Sequence, residues 1–184
     1  MSQKLTNEEL LAQAQKPGED AMILHPFYHG KMQTVPRCCI RNFNDFAIWY
    51  SPGVAEPCKA IKADREKIYE LTNKWNTVAV VSDGTRVLGL GDIGAEASMP
   101  VMEGKALLFK YLGGVDAVSL CLDTKDPYRI MLAVKLIQPK HVIPVHYNTW
   151  ELIAQDPEAW ARRVEIETDS QPHVLKPGET FTLD

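Results

Sequence analysis

Residues 99–123, MPVMEGKALLFKYLGGVDAVSLCLD, decide the fold class. Apolar side chains recur at helical spacing from Met99 to Tyr111, with Pro100 suited to a first turn and Gly113-Gly114 to the stop. Val115 to Asp123 then reads as a buried strand. Upstream, Thr77-Val78-Ala79-Val80-Val81 is a second strand of the same kind. Strand, helix, strand in this order predicts an α/β layer with a right-handed crossover.

Between the first strand and the helix, Asp83-Gly84 is a hairpin turn signal, and Arg86 to Leu90 is expected to return as a strand. Gly89-Leu90-Gly91-Asp92-Ile93-Gly94 fits the dinucleotide spacing G-x-G-x-x-G. Asp116 and Asp123 follow at a distance suited to a ribose contact. Two functions fit those glycines. Amides at a helix start could hold a pyrophosphate, which makes Gly89, Gly91 and Gly94 candidate cofactor residues. Alternatively, the glycines permit a tight turn between packed elements. The expected hairpin, and a helix beginning only near Pro100, favour a turn or a substrate loop.

Outward from this centre, Thr6 to Gln15 reads as a helix capped by Thr6 or Asn7 and stopped by Lys16-Pro17-Gly18. Leu24 to Arg41 is irregular, an arm of the kind that packs on a partner subunit, with Phe27, Tyr28 and Met32 as contacts. A homo-oligomer is therefore expected. Asn44 to Tyr50 leads into Ser51-Pro52-Gly53-Val54-Ala55-Glu56-Pro57, and helices follow through Ile61 and from Asp64 to Leu71. On the other side, Tyr128 to Gln138 reads as a helix and Lys140 to Val145 as a strand. Trp150 to Glu167 holds one or two helices interrupted near Asp156-Pro157. His173 to Leu175 and Thr180 to Leu183 are expected to pair as a terminal hairpin around Pro177-Gly178. The whole is α/β: a helical amino-terminal arm, a small mixed or parallel sheet with flanking helices, and an α/β tail.

Composition narrows the function classes. The 184 residues are 45% hydrophobic, enough for one core or two small ones. A net charge of −4 without a basic cluster argues against nucleic acid as partner. No apolar run approaches the ~20 residues that cross a bilayer, and the polar start is unlike a secretory signal. A cytoplasmic protein is expected. Cys38, Cys39, Cys58 and Cys121 lack CxxC spacing and read as free thiols.

Four strings in order resemble the malic enzyme family: residues 49–57, 81–94, Glu103-Gly104-Lys105-Ala106 and 121–127. The resemblance covers about residues 20–127. It implies NAD(P)-dependent oxidative decarboxylation of malate to pyruvate, with Mg or Mn. It makes Tyr50 the acid that protonates the enolpyruvate carbon, Lys105 the base that takes the malate hydroxyl proton, and Arg86 the clamp on a substrate carboxylate. The chemistry is sound for those side chains. A lysine acts as a base near neutral pH only if burial or a cation lowers its pKa, and arginine grips carboxylates bidentately. The resemblance also implies metal ligands and an NAD(P)-binding domain lying after such a region. On this basis the chain alone is expected to hold no cofactor firmly and not to turn over malate, while a dicarboxylate remains a candidate ligand.

Residues 128–184 resemble the closing segment of metallo-β-lactamase-fold hydrolases, through 133–150 and His173-Val174-Leu175-Lys176-Pro177-Gly178-Glu179. That resemblance makes His146 an isolated metal-ligand candidate, without the H-x-H-x-D-H cluster of the family. The expected organisation is a malic-enzyme-type domain over 1–127 joined near Lys125–Tyr128 to a hydrolase-like fragment over 128–184. Two alternatives accompany it: a non-catalytic structural hybrid, and a metal-dependent hydrolase.

Overall fold

The computed structural model describes residues 6–124, 126–149 and 151–183. Lys125 and Trp150, which figure in the expected junction and the start of the tail helices, lie outside the described residues. The elements in chain order are α1 (Asn7–Tyr28), α2 (Phe46–Trp49), α3 (Ala55–Ala63), α4 (Ile68–Leu71), β1 (Thr77–Ser82), α5 (Gly94–Gly113), β2 (Asp116–Cys121), α6 (Pro127–Ile137), β3 (His141–Val142), α7 (Pro157–Glu167) and β4 (Gln171–Pro172). β1 pairs with β2, and β3 with β4, each as a small parallel sheet. The α/β expectation is borne out.

The chain divides into two compact units: 1–80 with 100–119, and 81–99 with 120–184. In the first, Asp116 at the start of β2 gathers the turns around it. It accepts from Arg37 Nη2 at 2.7 Å, Lys110 Nζ at 2.7 Å and Asn76 Nδ2 at 3.2 Å. Arg37 also lies over the Trp75 ring, 5.4 Å from its centroid. Lys110, followed by Arg37 and Asn76, holds the Asp116 carboxyl below the usual carboxylate range against the opposing effect of desolvation.

In the second unit, Met131 and Val134 of α6 and Val164 of α7 form the core, with Val142 and Trp160 packed against it. Burying each of these aliphatic side chains contributes about 1.5–3 kcal/mol. Asp156 caps α7 by accepting from Ala159 N at 2.8 Å, and Pro157 occupies the first turn, where its missing N–H costs nothing. Lys135 Nζ meets Glu167 Oε2 at 2.6 Å, tying α6 to the end of α7.

Several expected boundaries move. Helix α1 does not stop at Pro17 but continues through Pro17 and Pro26 to Tyr28. Good helix formers from Leu11 to Lys16, with Glu19 and Ala21 beyond, carry the helix past Pro17 despite its missing donor and the glycine that follows it. Leu24 to Tyr28 is therefore helix rather than irregular arm; His29, at φ 54°, ends it. Arg86 to Leu90 is not a strand. Val87 and Gly91 form an isolated bridge around a tight turn, and Gly89 and Gly91 at positive φ exclude an extended run. Helix α5 starts at Gly94, with Pro100 inside it. The terminal hairpin does not form. Gln171 pairs with His141 instead, and Gln171 N and His173 N donate to Lys140 O and Val142 O at 2.8 Å. Those donors find carbonyls on β3, and Pro144 beyond it has no N–H to extend the ladder. All four cysteines are free, as expected.

Candidate functional site

Tyr50 sits at the end of α2, where two short-range devices fix the chain. Asp45 is buried and accepts from Arg41 N, Nε and Nη2 at 2.8, 3.1 and 2.9 Å. The Arg41 guanidinium, then the Arg41 amide, hold the Asp45 carboxyl below its usual range. After Tyr50, the chain folds back over α2, and Gly53 N donates to Ala47 O at 2.8 Å. A methyl group on Gly53 would stand 2.6 Å from Ala47 O and 2.7 Å from Ile48 O, so the backbones meet there only because the residue is glycine. Tyr50 itself is 73% exposed. Beside this turn lies an apolar groove of about 620 Å³ lined by Ile48, Trp49, Pro52, Val54, Pro57 and Ile61 among others.

Lys105 stands on α5 beside the buried Met102 and Ala106. It is half-buried, and desolvation lowers its pKa from the usual lysine value. That is the direction a general base requires. Next to it, Glu103 binds the segment that leaves α1. Its Oε2 accepts from Lys31 N at 3.1 Å, its carboxylate lies against Gly30, and Lys31 Nζ donates to Pro100 O at 3.0 Å. The His25 ring orients this segment too: Nδ1 donates to Ala21 O at 2.8 Å, leaving Nε2 to accept from Lys31 Nζ.

Arg86 is exposed in the bend after β1. Asp83 shapes that bend, accepting at Oδ1 from Thr85 N at 3.0 Å and Thr85 Oγ1 at 2.7 Å. Gly84 is buried at φ 71° and lies directly against Gly94. The glycine loop follows. Gly89, Gly91 and Gly94 have φ of 76°, 75° and 78°. Four of its amides are occupied from within: Leu90 N and Gly91 N donate to Val87 O, and Ile93 N and Gly94 N to Gly84 O. These four amides turn onto main-chain carbonyls, and the loop forms a tight turn.

Tyr50 and Lys105 belong to the first unit, and Arg86 and the glycine loop to the second. His146, at φ 60°, is exposed on the segment after β3. Among the described residues no three His, Cys, Asp or Glu side chains gather as a metal site. Sequence reasoning missed Gly53, Gly84, Asp45 and Glu103. Gly84, inside Asp83-Gly84, carried a turn signal, and Gly53 and Glu103 lay inside the quoted family strings without a role of their own.

With this geometry in view, a profile of the malic enzyme N-terminal domain matches residues 29–157. The chain belongs to the malic enzyme family. The match continues past residue 127, so the malic-enzyme likeness extends across the expected junction and through much of the segment assigned to a hydrolase fragment. The bifunctional malic/malolactic enzyme of Bacillus subtilis is 53% identical over 121 residues, covering 66% of this chain and 30% of that protein. The NAD-dependent malic enzyme of Geobacillus stearothermophilus is 57% identical over 110 residues, covering 60% and 23%. The crystal structure of Entamoeba histolytica malic enzyme superposes with a TM-score of 0.70 at 38% identity, covering 78% of this chain and 31% of that one. This chain thus spans less than a third of the length of these relatives. Among the described residues, no helix is long and apolar enough to cross a membrane.

Proposed function

We propose that this chain supplies the substrate-side residues of a malic-enzyme reaction, the NAD(P)-linked oxidative decarboxylation of malate to pyruvate. The observation that carries this is Lys105. It lies within the matched family region, is half-buried, and has a pKa lowered by desolvation. In this role Lys105 accepts the proton of the substrate hydroxyl, Arg86 grips a carboxylate of the dicarboxylate, and Tyr50 returns a proton to the enolpyruvate carbon. Gly89 to Gly94 forms wall rather than cofactor cradle. The dinucleotide and a divalent ion belong to the family chemistry. Neither the glycine-loop amides nor the described acidic side chains fit them here, so they enter no step on this chain.

Calorimetric titration of the purified chain with malate, oxaloacetate and pyruvate tests the proposal. Malate binds, and Arg86→Met weakens it about tenfold or more, since a charge-assisted pair contributes about 1.5–3 kcal/mol. No heat at millimolar ligand from a folded sample refutes the reading.

A further inference from the structure

His141 and His173 form a pair that the malic-enzyme reading does not use. Parallel pairing of β3 with β4 sets their positions, because His141 faces Gln171 in register and His173 N donates to Val142 O at 2.8 Å. His141 Nδ1 lies 3.0 Å from His173 Nε2, so one ring donates to the other. Phe181 stacks on His173 at 3.8 Å between centroids with 25° between planes, and tilts against His141 at 5.1 Å. Both imidazoles are half-buried.

Two nitrogens bound at ~2.0–2.1 Å in a tetrahedral zinc shell stand about 3.3–3.4 Å apart. The pair is already within a few tenths of an ångström of that spacing. We propose that His141 and His173 form a bidentate site for a divalent transition-metal ion of the imidazole-preferring group, Zn²⁺, Ni²⁺ or Cu²⁺. The ion replaces the shared hydrogen bond. The donor ring moves its proton to its other nitrogen, both facing nitrogens offer lone pairs, and no net proton is released from two neutral rings. Among the described residues no third His, Cys, Asp or Glu joins them, so water completes the shell and the ion exchanges freely. The site differs from the isolated His146 position in residues and in geometry.

The sequence has five histidines, which makes a clean test available. In a chain carrying His25→Asn, His29→Asn and His146→Asn, with serine at the four free cysteines whose thiols would bind Zn²⁺ and reduce Cu²⁺, the pair supplies the only imidazoles and no thiol competes. Asparagine tolerates the positive φ of His29 and His146. Titration with ZnCl₂ at pH 8 in a non-chelating buffer reads one ion per chain. With one equivalent of Cu²⁺, electron paramagnetic resonance shows coupling to two imidazole nitrogens. Adding His141→Ala or His173→Ala abolishes both readouts. No zinc heat at submillimolar metal, or fewer than two coupled nitrogens, overturns the proposal without depending on how the alanine variants fold. So does metal binding by the native chain that disappears with His146→Asn.

Discussion

Gly84→Ala is the sharpest perturbation of this fold. The added methyl would overlap the carbonyl of Gly94, standing 2.5 Å from its carbon and 2.8 Å from the buried Ser98 Oγ. The neighbour in the way is main chain, which cannot rotate aside, so either the bend after β1 or the start of α5 must shift. Holding alanine at φ 71° costs about 1–2 kcal/mol. Relieving the overlap costs about 1–3 kcal/mol more. Restricting the unfolded chain returns about 0.4–1 kcal/mol. The net is a loss of about 1–5 kcal/mol, with the steric part deciding where in that range it falls. Gly89→Ala is the control. Its φ of 76° is nearly the same, yet nothing lies within 4 Å of the added carbon, so strain and chain entropy nearly cancel to about 0–1.5 kcal/mol. Urea denaturation followed by circular dichroism reads both variants against the native chain. The midpoint for Gly84→Ala falls well below that for Gly89→Ala, with unchanged slopes. Equal midpoints would show that the close approach of Gly84 to Gly94 does not hold the loop carrying Arg86.

Lys105→Met tests desolvation. Because the folded-state pKa of Lys105 lies below the usual 10.5, the native chain gains stability as pH rises from the folded value toward 10.5. The methionine variant lacks that rise in denaturation midpoint between neutral and alkaline pH, and a rise that persists would assign the linkage to another group. Asp116→Asn acts at the acid end. The native carboxyl titrates below 3.8 because of Lys110 and Arg37, so its contribution is present above that value and lost as pH falls through the folded pKa. Acid denaturation curves should be shallower in the variant, and identical curves would remove the role assigned to this cluster. The second half of α1 exposes Met22, Ile23 and Phe27, and self-association through this arm is expected. Light scattering coupled to size exclusion should show a dimer or larger species that Phe27→Asp disrupts, and a native monomer at micromolar concentration would end the expectation.

Local sequence alone determined the element types around the centre. The apolar runs at 77–81 and 115–123, the helical spacing from 99 to 111, and the interruption near Asp156-Pro157 depend on residues within one turn or one strand of each other. The family was legible for the same reason, since its motifs are short strings in fixed order. Their candidate roles at Tyr50, Arg86 and Lys105 came with the resemblance. Only tertiary structure decided what the glycines do. Gly84 is required by the main chain of Gly94 at the start of α5, an approach no local string encodes, while four amides of the fingerprint at 89–94 turn onto carbonyls of Gly84 and Val87. The fate of the tail was decided in the same way. His173 follows a strand that found β3 rather than its own neighbours, because open carbonyls at Lys140 and Val142 were available to its amides. The lowered pKa of Lys105 likewise comes from burial, which exists only once α5 is packed.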